Sequence, residues 1–220
     1  MKKTKAIMMT SNLALAAMLA ALAGCASDNY QKGGDAAAGL TESANRIEQS
    51  KGKIDATLAS LNSLVAASQG DLVPQFKKYS SAVSDLESSA KNVDSKVEDM
   101  RGSGNEYFKA WDEQLATIKN EDIKSRSAAR KTEVQERFTN IKRTYVEAGD
   151  AFKPFMANLK DIQTALATDL TPGGITAIKG AAEKATKDSV PLKAAIDKLA
   201  TEFKELGVAM SSAGAPPAAK

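Results

Sequence analysis

The chain has 220 residues, 43% of them apolar but only 5% aromatic, with no histidine and one cysteine. That inventory excludes Ser-His-Asp triads, Cys/His nucleophilic pairs and the usual zinc ligand sets, so the chain is read as a non-enzyme with no metal and no cofactor. The formal charge of +3 resides wholly in Lys2, Lys3 and Lys5; without that first segment the chain is neutral, which argues against nucleic acid as a partner.

Residues 1–24 have the order of an export signal: a basic start, then an unbroken apolar run from Leu13 to Ala23. The run closes on Leu22-Ala23-Gly24-Cys25, which resembles the lipobox of bacterial lipoproteins. The resemblance implies cleavage before Cys25 and lipid attachment to its thiol, with the membrane as partner through that lipid. Each buried CH₂ of an acyl chain contributes about 0.8 kcal/mol, so two or three chains would hold the protein durably. Ala26 and Ser27 follow the cysteine where an aspartate would signal retention in the inner membrane. By that resemblance the expected location is the periplasmic face of the outer membrane.

Residues 25–39 are read as the lipidated cysteine and a flexible tether, because Ser27 to Asp35 (SDNYQKGGD) carries a Gly-Gly pair and no apolar period. From 40 to 210 the apolar positions recur at alternating steps of three and four. The first seam runs Leu40, Ala44, Ile47, Lys51, Ile54, Leu58, Leu61, Val65, and only Lys51 breaks it. The second runs from Phe76 through Tyr79, Val83 and Leu86 to Gly104, Tyr107 and Trp111, with Phe108 just beside it. The third runs from Val134 to Leu166 and the fourth from Ile175 to Met210. A sustained period near 3.5 predicts four long helices that coil around one another. The expected fold is all-α: an elongated antiparallel coiled coil or four-helix bundle, with the two middle helices about 65 Å long at 1.5 Å per residue.

Breaks between the seams have physical reasons. Asp71 can cap the second helix with Pro74 in its first turn, Asn120 to Asp122 separates the second and third, and Thr171-Pro172 suits the start of the fourth. Pro154 and Pro191 fall inside seams and are expected to kink their helices, with Gly102 and Gly104 a further weak point. Glu42 with Arg46, Glu133 with Arg137 and Glu183 with Lys187 are spaced for helix-surface ion pairs of roughly 0.2 to 0.5 kcal/mol.

Candidate chemistry is sparse. Trp111 with Tyr107 and Phe108 reads as core packing ahead of a ligand platform. The basic run from Lys119 to Arg143 reads as internal salt bridges to the acidic stretch Asp85 to Asp99 ahead of a surface for anionic lipid or cell wall. Glu98 and Asp99 are helix neighbours that point different ways and read as a solvated face. Residues 211–220 (SSAGAPPAAK) read as a flexible tail ending in Lys220. A terminal lysine on an anchored chain resembles the murein lipoprotein, which is joined to peptidoglycan through its last lysine; Lys220 is therefore a candidate attachment point.

Tyr107 to Leu115 (YFKAWDEQL), Ser127, Arg130, Arg137, Tyr145 and Phe152 to Leu159 (FKPFMANL) with Pro154 carry a resemblance over about residues 39–206. The chain resembles the uncharacterised bacterial lipoprotein family catalogued as domain of unknown function 2959. Members of that family tend to have a histidine-asparagine element before the last helix, where this chain reads Leu166 to Thr171 (LATDLT). The resemblance implies a helical exported lipoprotein and supplies no activity or site. The expected role is a lipid-anchored structural spacer or protein-interaction scaffold of the cell envelope, with envelope proteins or peptidoglycan as partners. The alternative is a module that binds lipid or peptidoglycan.

Overall fold

The computed structural model describes the backbone of residues 13–67 and 70–211 and the side chains of residues 31–67 and 70–211. Four helices make up nearly all of it: α1 (Leu13–Ala66), α2 (Val73–Thr117), α3 (Glu121–Thr168) and α4 (Pro172–Met210). At 1.5 Å per residue the 45-residue α2 is about 68 Å long.

α2, α3 and α4 begin where local chemistry satisfies some of their first free N–H groups. The Asn120 side chain accepts from the N–H groups of Asp122 at 3.1 Å and Ile123 at 3.2 Å. Glu121 and Asp122 follow in the first turn, where the helix dipole favours acids. Thr171 accepts the Gly174 N–H at 3.2 Å, with Pro172 at the first helical position. At α2 the arrangement is shifted by one residue from the expected one. Buried Leu72 takes the cap position, and Asp71 acts from just outside it, accepting the Val73 N–H at 3.0 Å. Gly70 makes the preceding turn at φ +89°, in the left-handed region that glycine enters without penalty.

Neighbouring helices run antiparallel. Along α1 the numbers rise from Ser43 to Thr57 while their hydrogen-bond partners on α2 fall from Lys96 to Ala82. Lys51 and Lys204 bridge α1 and α4 through Asp197 and Glu48. Arg130 and Asn158 of α3 reach Ala209 and Ala181 of α4, and Ser127 and Leu159 of α3 meet Trp111 and Tyr79 of α2. The helices therefore form a ring in the order α1, α2, α3, α4, with α2 and α3 touching least. Leu40, Ile54, Tyr79, Leu159 and Phe203 are completely or almost completely buried at its centre. Burial of each such side chain contributes on the order of 1.5 to 3 kcal/mol.

Several expectations need correction. The tether expected at residues 25–39 is helix instead: α1 runs unbroken through Gly33 and Gly34. Gly33 lies against the Tyr107 ring, and Ala36 and Ala37 are already buried. Leu64, not Val65, continues the first seam into the core. In α2 it is Phe108 that is buried, while Tyr107 and Trp111 are half-buried. A helix in a four-membered ring packs on two neighbours, so its buried stripe is wider than the seam of a two-helix coil. Glu183 and Lys187 form no ion pair among the described residues; Lys184 and Asp188, one position on, do. Pro154 and Pro191 lie on the exposed sides of α3 and α4, and both helices continue through them.

Candidate functional site

The aromatic candidates singled out by sequence hold α2 and α3 together, whereas the charged ones pair mainly along their own helices. Trp111 donates from its indole Nε1 to the Ser127 hydroxyl at 2.9 Å and packs on Tyr107 with ring centroids 5.3 Å apart. Phe108 meets Phe138 edge to face at 5.7 Å, in the preferred geometry for aromatic pairs. Phe138 in turn lies over Gly104, where a Cβ would come within 2.4 Å of its ring. Gly104 is thus a close approach between α2 and α3 and not a weak point. Burial pushes the Tyr107 phenol up, with the nearby Arg130 charge acting the other way.

The ion pairs of the basic run lie mainly within α3. Arg126 pairs with Asp122, Arg130 and Arg137 share Glu133, and Arg143 faces Glu147. Hydrogen bonding from Arg130 is the chief reason the Glu133 carboxyl titrates below the usual range. One lysine of the run crosses to α2, Lys131 to Asp112. Internal pairing is therefore right in kind, but the acidic stretch of α2 serves other partners. Asp85 meets Lys53 of α1, and Glu87 meets Lys160 of α3. Glu98 and Asp99 face solvent, paired to Arg101 and Lys96.

Arg130 does a second job. Its guanidinium donates to the Ala209 carbonyl at 3.1 Å, placing a cation at the carboxyl end of α4, which has no basic residue in its own last turn. Tyr145 donates to the Asp94 carboxylate, and burial, with that bond second, pushes the phenol well above the usual tyrosine range.

The sequence did not reveal an apolar cavity of ≈ 250 Å³ midway along the ring. Ile47 and Ile54 of α1, Leu86 of α2, and Leu192, Ile196 and Leu199 of α4 are among the residues that wall it. Its exposed lining residues, Asp94, Val146, Asp150 and Lys153, all belong to α2 and α3, so its mouth opens between those two helices. Ala90 and Gly149 are small lining residues on the α2 and α3 sides, and a Cβ added to Gly149 would meet nothing within 4 Å.

Among the described residues no cluster of three or more His, Cys, Asp or Glu side chains could hold a metal ion. No described helix is long and apolar enough to cross a membrane. The side chain of Cys25 and all of Lys220 lie outside the described residues.

The family model described as "Protein of unknown function (DUF2959)" matches residues 36–207. No curated protein and no solved structure matches the chain.

Proposed function

The chain belongs to the DUF2959 family, and from that premise we propose that it is a lipid-anchored helical lipoprotein of the cell envelope. In this reading Cys25 holds it on the periplasmic face of the outer membrane, and it serves as a spacer or as a scaffold for other envelope proteins. The observation that carries the proposal is the use made of its polar and aromatic groups. Ser127, Arg130 and Tyr145, three of the residues that carry the family resemblance, each bond to a neighbouring helix. A rod about 68 Å long built in this way offers length and surface rather than chemistry.

Radiolabelled palmitate and fractionation of cells test the anchor. The wild type is expected in the membrane fraction carrying label, and Cys25→Ser in neither. Retention of unlabelled Cys25→Ser on the membrane would sink the lipid anchor. Crosslinking in intact cells followed by mass spectrometry tests the scaffold, with one or a few recurrent envelope partners expected and their absence counting against it. A bond from Lys220 to peptidoglycan would add a second tie; wall digests should then contain muropeptides bearing the terminal peptide, and their absence removes this element.

A further inference from the structure

The α2–α3 face carries a window into the bundle. Polar links frame it: Asp94 with Tyr145 on one side, and Glu87 with Lys160 on the other. Between them the antiparallel register brings Ala90 of α2 opposite Gly149 of α3, as the pairs Asp94 with Tyr145 and Tyr79 with Leu159 show on either side. On α3 the row facing α2 reads Tyr145, Gly149, Phe152, so glycine leaves a gap between two aromatic rings. Side chains of ordinary size at either position would close the α2–α3 seam here. Without them the gap leads straight to the cavity of ≈ 250 Å³.

We infer that this window admits an uncharged aliphatic molecule of about ten carbons, which occupies the cavity between the four helices. Size and polarity both select that class. A dry cavity of about 150 Å³ lined by aliphatic side chains holds benzene, so the larger one here accepts a longer chain. Scaled from the six carbons of benzene in about 150 Å³, the ≈ 250 Å³ here has room for about ten. The mouth disfavours an anionic head. Lys153 is paired with Asp150 at 3.0 Å, the Tyr145 hydroxyl is donated to Asp94, and a carboxylate placed there would face Asp94 and Asp150. Binding sites of bundle proteins commonly lie between helices in this way. The inference does not depend on lipid at Cys25 or on the scaffold role.

Fluorescence of 1-aminoanthracene, an uncharged probe of suitable size, tests it on the purified full chain. The wild type is expected to enhance the probe saturably at one site, with 1-decanol displacing it at least tenfold more effectively than decanoate. Gly149→Leu, which fills the gap, should weaken probe binding at least tenfold while raising the melting temperature. Ala90→Leu closes the same window from α2 and covers the case in which the first variant misfolds, with helical circular dichroism confirming the fold of each. Probe bound at the apolar run of residues 13–23 would be unaffected by either substitution. Absence of saturable enhancement, or equal binding by folded variants and wild type, overturns the inference. Displacement by decanoate as strong as by decanol overturns the choice of an uncharged ligand.

Discussion

The phenol of Tyr79 donates to the main-chain carbonyl of Leu159 at 2.7 Å, and both residues are fully buried. This bond helps tie α2 to α3, the neighbouring pair of helices that touches least. Tyr79→Phe keeps the ring and removes the donor, while Leu159 keeps its bond within the helix. A loss of about 1 kcal/mol is expected, read as a lower midpoint in urea with unchanged slope.

The same residue sets an alkaline limit. Burial pushes the Tyr79 phenol far above the usual tyrosine range, and burial with the Asp94 bond does the same at Tyr145. The unfolded chain releases these protons near pH 10, whereas the folded chain keeps them, so stability falls as pH rises above about 10. Urea midpoints at pH values from about 8 to 11 should show that fall, and Tyr79→Phe should make it shallower. An equal slope in the variant would show that Tyr79 does not contribute.

Two glycines of α2 two residues apart should respond in opposite ways. Gly104→Ala places a methyl within 2.4 Å of the Phe138 ring and is expected to cost about 1 to 3 kcal/mol through overpacking. Gly102 is exposed and a Cβ there meets nothing within 4 Å, so Gly102→Ala should stabilise by up to about 1 kcal/mol through helix propensity. Melting curves of the two variants decide the matter, and a shift of the same sign for both would refute it.

Much of this was legible in advance and some was not. Four helices, the cap at Thr171 and their antiparallel order follow from apolar spacing and short connections, since helix-period burial and local capping are both written in one strand of sequence. Gly33 was misread because a glycine pair signals a break only when nothing packs on it, and here Tyr107 of a distant helix does. Ser43, Thr57 and Thr144 are buried without entering an apolar pattern. The cavity was hidden for a related reason: it arises from Ala90 and Gly149 together, and their register across two helices is a property of the assembled ring.

Thr144 supplies a separate test. Its hydroxyl is buried with no protein partner, and such a group forfeits hydration without a compensating bond. Thr144→Val retains the branched shape and replaces the hydroxyl by methyl. A gain of about 1 kcal/mol is expected, or roughly 2 to 4 °C in melting temperature for a chain of this size. A decrease would mean that the hydroxyl has a stabilising role.

Arg130 should matter to α4 although it belongs to α3. Arg130→Met preserves the aliphatic stem but removes both the charge near the Ala209 carbonyl and one of the two partners of Glu133. Loss of roughly 0.3 to 1 kcal/mol is expected, with faster amide exchange confined to the last turns of α4. Uniformly faster exchange throughout the bundle would instead assign Arg130 a global role.

The continuity of α1 past Gly33 has a mechanical consequence. A slack connection would fix only how far the bundle can stray from its point of attachment. A helix that enters the bundle without a joint, and is already seated on Tyr107 at Gly33, transmits angle and torque as well. Whatever grips the amino-terminal end of α1 therefore aims the bundle, so that the face bearing Ala90 and Gly149 has a set heading instead of sweeping through all directions.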